Sequence, residues 1–153
     1  MTEKFERLTV GLILERDLWS IGSGILEGAR FSTRFRQEFA GRPDVSALPR
    51  LVRVAWEFDA GANDEPAGAQ LKAMAVFENR LASAVEEDLV AVLAAVITHR
   101  GRRTWVFYCA DIQVFAERLH HMPQERDPYP IKIETKNDPG WTFLYETVIP
   151  KQD

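Results

Sequence analysis

Residues 88–109 read DLVAVLAAVITHRGRRTWVFYC, two apolar runs (88–98 and 103–109) joined by the link HRGR. Gly101 supplies the backbone freedom that a tight hairpin turn requires. With the turn centred on Arg100-Gly101, Thr98 faces Arg103, Val96 faces Trp105, Ala94 faces Phe107 and Val92 faces Cys109. Trp105 and Phe107 then share one side with small apolar neighbours. Ala95, Ile97, Val106 and Tyr108 make the other side apolar too. A hairpin apolar on both faces is buried on both.

Working outward, LVRVAWEF (51–58) alternates as a strand, with Val52, Val54, Trp56 and Phe58 on one side. DAGANDEPAG breaks it with turn-forming residues. Residues 69–86 follow helical spacing, with Ala73, Met74, Phe77, Leu81, Ala84 and Val85 in one stripe. Glu65 and Pro66 suit the start of that helix. Beyond the hairpin, Asp111 is a helix cap opening IQVFAERLHH, and Pro123 marks its end. PIKIETK (130–136) alternates, with Ile131 and Ile133 inward and Lys132, Glu134 and Lys136 outward. Asp138-Pro139 reads as a further cap and first turn, placing Trp141 and Tyr145 on one face of a short C-terminal helix.

The order strand, helix, strand, strand, helix, strand predicts an α+β fold with a ferredoxin-like βαββαβ core over about 51–136. Right-handed crossovers put 51–58 and 103–109 in the centre and 88–98 and 130–136 at the rims. Outward lysines and Pro130 protect the second rim. The first has no charge after Asp88 and no proline, so bare it would recruit another chain. ARFSTRFRQEF (29–39) offers the cover. Ala29, Phe31, Thr33, Phe35 and Phe39 fall on one side, and Arg30, Ser32, Arg34, Arg36 and Glu38 on the solvated other. Glu27-Gly28 is a tight turn from a preceding strand around WSIGSGIL, and LTVGLIL (8–14) is a further candidate strand. The competing cover is a second subunit, which makes a homodimer the alternative. The expected organisation is one domain: an N-terminal β extension (1–48), the core (49–136), and a C-terminal helix and tail (137–153).

The chain has 153 residues, 46% apolar and 27% charged, and a net charge of −4. That field repels phosphate and anionic lipid, so neither nucleic acid nor membrane is the expected partner. The lone Cys109 cannot pair internally and fits a reducing cytoplasm. MTEKFERLTV lacks the apolar core of a signal peptide, and no apolar run approaches the ~20 residues that span a bilayer.

Arg100, Arg102 and Arg103, with Arg34 and Arg36, are the candidate partner-binding residues. Basic residues interleaved with aromatics can hold single-stranded RNA, but that requires rings open to bases. RRTWVFY and LVRVAW lack the glycines and ring spacing of RNA-recognition signatures. RNA binding by the two arginine groups is the second expectation. A small-molecule enzyme or sensor, with a pocket bounded by Trp141, Tyr145 and the acidic loop of Glu57, Asp59, Asp64 and Glu65, is the third.

Catalytic chemistry finds little purchase. In the hairpin register His99 lies roughly 20 Å from Cys109, far outside the reach of a base. His120 and His121 are adjacent and diverge by ~100° on a helix, unlike i,i+4 metal ligands. The acidic loop lacks the D-x-D-x-D-G pattern of a calcium site. No phosphate-cradling loop, G-x-S-x-G or H-E-x-x-H is present. The sequence nominates no catalytic group, no cofactor and no metal site.

The succession of strand, acidic/Pro loop, helix with FENRL, VLAAVITHRGRRTWVFYCAD, YPIKIETKNDPGW and a Tyr four residues later resembles the bacterial family called domain of unknown function 695. The likeness runs from about Trp19 to Tyr145. Its specific parts are Arg103 with Phe107-Tyr108 and Asp111, Tyr129-Pro130, and Asp138-Pro139 with Trp141, residues expected to be structural. Where members often carry Gly-Leu-Pro before the first long helix, this chain has ANDEPAG. The family brings no established activity. Some members look fused to a domain similar to the ribonuclease E inhibitor, a ferredoxin-like regulator that binds protein. The resemblance therefore implies a non-catalytic protein-binding or regulatory module.

Overall fold

The computed structural model describes residues 9–59 and 65–149. Asp64 of the acidic loop, Leu8 and the final four residues lie outside them.

Helix α1 (Val10–Arg16) leads into the hairpin of β1 (Trp19–Leu26) and β2 (Ala29–Arg36). Strand β3 (Arg50–Glu57), helix α2 (Gly68–Glu86), strands β4 (Ala91–His99) and β5 (Arg102–Cys109), helix α3 (Ile112–His121) and strand β6 (Ile131–Asn137) follow. A π-helical turn, Phe143–Val148, closes the described chain. The strands form one six-stranded sheet in the order β1-β2-β4-β5-β3-β6, and every neighbouring pair is antiparallel. Mixed helices on an antiparallel sheet make the fold α+β. β2 lies beside the uncharged strand β4, the cover that its bare margin demanded.

The sheet divides two apolar layers. On one face Val52, Val54, Trp56, Leu93, Val96, Trp105 and Phe107 pack under Met74, Phe77, Leu81 and Val85 of α2 and Phe115 of α3. On the other, Phe31, Phe35, Leu51, Val92, Val106 and Tyr108 pack with Ile13 of α1, Phe39, Trp141 and Leu144. Burial on both sides explains why β4 and β5 read as unbroken apolar runs. Trp105 is wholly buried, edge-on to Phe77 at 5.0 Å.

Several expectations need correction. LTVGLIL contributes to a helix: Thr9 Oγ1 accepts from Leu12 N at 3.2 Å, and Asp17 closes the helix at φ 52°. The first strand of the hairpin starts at Ala91, because Asp88 is tied to Arg118 at 2.6 Å and Leu89 turns at φ 58°. Thr98 faces Arg103 and Val96 faces Trp105 as expected, but Ala94 then bulges. Leu93 therefore faces Phe107, and Ala91 faces Cys109. The surplus residue puts Ala94 and Ala95 on one face together, so that Leu93 reaches the layer under α2.

Glu65 and Pro66 precede α2 rather than opening it, and Ala73 is exposed. Ile133 remains 43% exposed, since the helical layer ends over Tyr129 and Ile131. The C-terminal turn starts after Trp141, whose φ of 55° is not helical. No helix among the described residues is long and apolar enough to cross a membrane.

Candidate functional site at the hairpin tips

Two hairpins present their tips at the same end of the sheet. Both are two-residue turns with positive φ at each central residue: Glu27 (51°) and Gly28 (76°), Arg100 (50°) and Gly101 (71°). That geometry matches the right-handed twist of the flanking strands. The Arg100 guanidinium donates to the Glu27 carbonyl, and His99 Nε2 donates to the Leu26 carbonyl at 2.8 Å. Phe58 N donates to Gly101 O at 2.8 Å, drawing the end of β3 to the same place. Between them lies a concavity of about 620 Å³ lined by Glu27, Glu57, Asp59, His99, Arg100 and Arg102 among others. Three acidic residues and two arginines thus contribute to one lining.

Arg102 pairs with Glu57 at 3.1 Å on the wall of that concavity. Arg103, Arg34 and Arg36 are not among the residues that line it. Arg103 reaches Thr98 Oγ1 at 3.1 Å and Glu65 at 3.7 Å, and burial pulls its pKa below the ordinary arginine value. Arg34 and Arg36 are on the sheet face turned toward α2. Arg34 pairs with Glu78, whose Oε1 also accepts from Trp105 Nε1 at 2.9 Å. Arg36, expected on a solvated face, is 4% exposed. It donates to Leu93 O at 2.9 Å, Asp17 at 2.8 Å and Glu86 at 3.2 Å, and lies over the Trp19 ring at 4.7 Å. Sequence spacing could not reveal this, because Glu86 lies 50 residues away.

The motif residues form a brace beneath the sheet. Asp138 accepts from Tyr108 Oη at 2.8 Å, Thr142 N at 2.9 Å and Phe143 N at 3.0 Å. Trp141 stacks on Tyr108 at 4.1 Å and donates from Nε1 to Leu48 O at 2.8 Å. Burial, then the Asp138 carboxylate, holds the Tyr108 phenol far above its ordinary pKa. Tyr145 Oη reaches Phe39 O at 3.0 Å, and Tyr129 Oη accepts from Arg80 at 2.7 Å. Asp111 caps α3, accepting from Gln113 N at 2.8 Å and Val114 N at 3.4 Å. Pro130 sits just before β6, and Pro139 follows the capping Asp138.

Trp141 lies beside Leu48 at the start of β3, whereas the acidic loop follows its end, about 25 Å away along eight residues. They do not border a common pocket. Among the described residues no cluster of three or more His, Cys, Asp or Glu is placed to hold a metal ion. His120 and His121 meet edge-on at 5.2 Å.

Cys109 is fully buried, and burial pushes its thiol up to about 11. The thiolate is the reactive form. The native protein should therefore leave a disulfide reagent such as dithionitrobenzoate essentially unconsumed over an hour at pH 8. It should react completely once denaturant opens the core, and fast native labelling would refute the burial.

No curated protein and no solved structure matches the chain. The model of the Family of unknown function (DUF695) matches residues 17–148, from the loop before β1 through the closing π turn. That span holds the hairpin tips, the Asp138 brace and all six strands, and the chain belongs to this family.

Proposed function

We propose that this chain is a non-catalytic, cytoplasmic regulatory module that binds another protein through the hairpin-tip end of its sheet. One observation carries the reading: the concavity between the tips mixes three carboxylates with two arginines. A phosphodiester backbone meets net negative charge there, whereas a protein surface carrying both signs finds complements for each. The β3-α2-β4-β5-α3-β6 run, with strand order β4-β5-β3-β6, supports a ferredoxin-like reading of the core. The resemblance to proteins fused with a protein-binding regulator points the same way, as analogy of fold.

Affinity capture from cell extract, quantified by mass spectrometry, tests it. The wild-type chain should enrich a defined protein about tenfold over an Arg100→Glu/Arg102→Glu variant. The variant should stay folded, because surface pairs such as Arg102–Glu57 contribute at most about 1 kcal/mol. Recovery of nothing beyond the chain itself, or salt-dependent binding of RNA oligonucleotides with no protein captured, would overturn the proposal.

A further inference from the structure

Among the described residues β1 and β6 each lack a second neighbouring strand, and these two margins of the sheet differ in kind. β6 is guarded by Pro130, Lys132, Glu134 and Lys136, the usual protection against edge pairing. β1, WSIGSGIL, has no charge and no proline, and its register with β2 runs unbroken from Trp19↔Arg36 to Leu26↔Ala29. In an antiparallel ladder alternate residues turn their backbone groups to opposite sides. Leu18 O accepts from Gln37 N at 2.9 Å, so Leu18, Ser20, Gly22, Gly24 and Leu26 address β2. Trp19, Ile21, Ser23 and Ile25 turn their amides and carbonyls outward. Two of these side chains are apolar and uncovered: Ile21 is 89% exposed and Ile25 71%.

We infer that β1 pairs antiparallel with β1 of a second copy about a twofold axis at Ser23. The segment is complementary to itself in that register. Ile21 of one copy meets Ile25 of the other, Ser23 meets Ser23, and the outward backbone groups exchange about six hydrogen bonds. From Ile21 to Ile25 the seam carries no charged residue, and Glu27, which meets Trp19 at each end, sits in an exposed turn. On β6, where Asp138 N donates to Pro49 O, Ile131, Ile133 and Thr135 turn their backbone groups outward, and a pairing there must bring Lys132, Glu134 and Lys136 alongside a second strand, the kind of charged edge that discourages pairing. With only one margin competent, association closes at a dimer instead of running on as a fibre. Two six-stranded sheets become one continuous sheet of twelve. A contact confined to one strand pair falls below the ~1,200 Å² of stable interfaces, so the dimer is weak and concentration-dependent. It uses the long edge of the sheet and leaves the concavity between the hairpin tips to a different partner.

Sedimentation of the full chain from about 1 to 200 μM tests this. The wild type should pass from monomer to dimer over that range. Ile21→Lys should raise the dissociation constant at least about tenfold with an unchanged circular dichroism spectrum. Ile21→Lys combined with Ile25→Glu sets opposite charges face to face in the inferred register, and should restore the dimer. A wild type monomeric throughout overturns the inference, as does a dimer indifferent to Ile21→Lys. Failure of the double variant to recover overturns the register. A partner protein captured on β1 in place of a second copy also counts against it.

Discussion

Arg36→Ala is expected to cost about 3–5 kcal/mol, the scale for leaving one member of a buried ion pair alone. The guanidinium gathers distant parts of the chain: Leu93 at the bulge in β4, Glu86 at the end of α2 and Asp17 before β1. The Asp17 arm adds little because that carboxylate is largely exposed. Glu86 is the vulnerable partner. Burial raises its pKa, and the Arg36 charge and the Leu93 amide, 2.8 Å from Oε2, hold that rise in check. A carboxyl whose pKa is higher folded than unfolded gives most stability below the unfolded value of about 4.3. That contribution is lost as pH climbs to the folded value. Without Arg36 the folded value rises further, so the window of loss widens upward. Urea titrations should show a deficit that is larger at pH 7 than at pH 5. Arg36→Lys keeps the charge but loses the fork, and should fall between. A loss below about 1 kcal/mol at pH 7 would refute the buried role.

Asp138→Ala should cost about 3 kcal/mol, read by the same titrations. Three donors lose a charged acceptor at once: the Tyr108 phenol and the amides of Thr142 and Phe143. Hydrogen bonds to ionised groups are the stronger class, and a buried phenol left unpaired adds its own desolvation penalty. Because its pKa is raised, that phenol stays protonated and donating throughout neutral pH. Tyr108→Phe removes a single donor and keeps both amides on the carboxylate, so about 1 kcal/mol is expected. Equal losses in the two variants would mean that Asp138 does not organise the C-terminal turn.

What could be read in advance follows from the range of the interaction involved. The period-two pattern of β3 and the turn chemistry at Arg100-Gly101 and Glu27-Gly28 are local, and the structure agrees with both. The seven-residue run LTVGLIL, with five apolar side chains, suits either element, and the deciding caps, Thr9 and Asp17, lie at the two ends of the helix. The bulge at Ala94 leaves no mark in a run where either alanine fits either face. The role of Arg36 is hidden for the opposite reason. Alternation placed it correctly on the polar side of β2, but that side is roofed by α2 and walled by Trp19 and Glu86. The partner-binding set thus separated by distance. Arg100 and Arg102 border the concavity, whereas Arg34 and Arg36 lie on the face under α2.

The surplus residue in β4 also bears on how relatives should be compared with this chain. Upstream of Ala94, odd-numbered positions such as Ala91 and Leu93 point toward α2; downstream the parity inverts, and Val96 does so instead. A homologue lacking the insertion needs a one-column gap at this point before inward and outward substitutions can be told apart. Aligned straight through, conservative replacements on one arm would masquerade as polarity reversals.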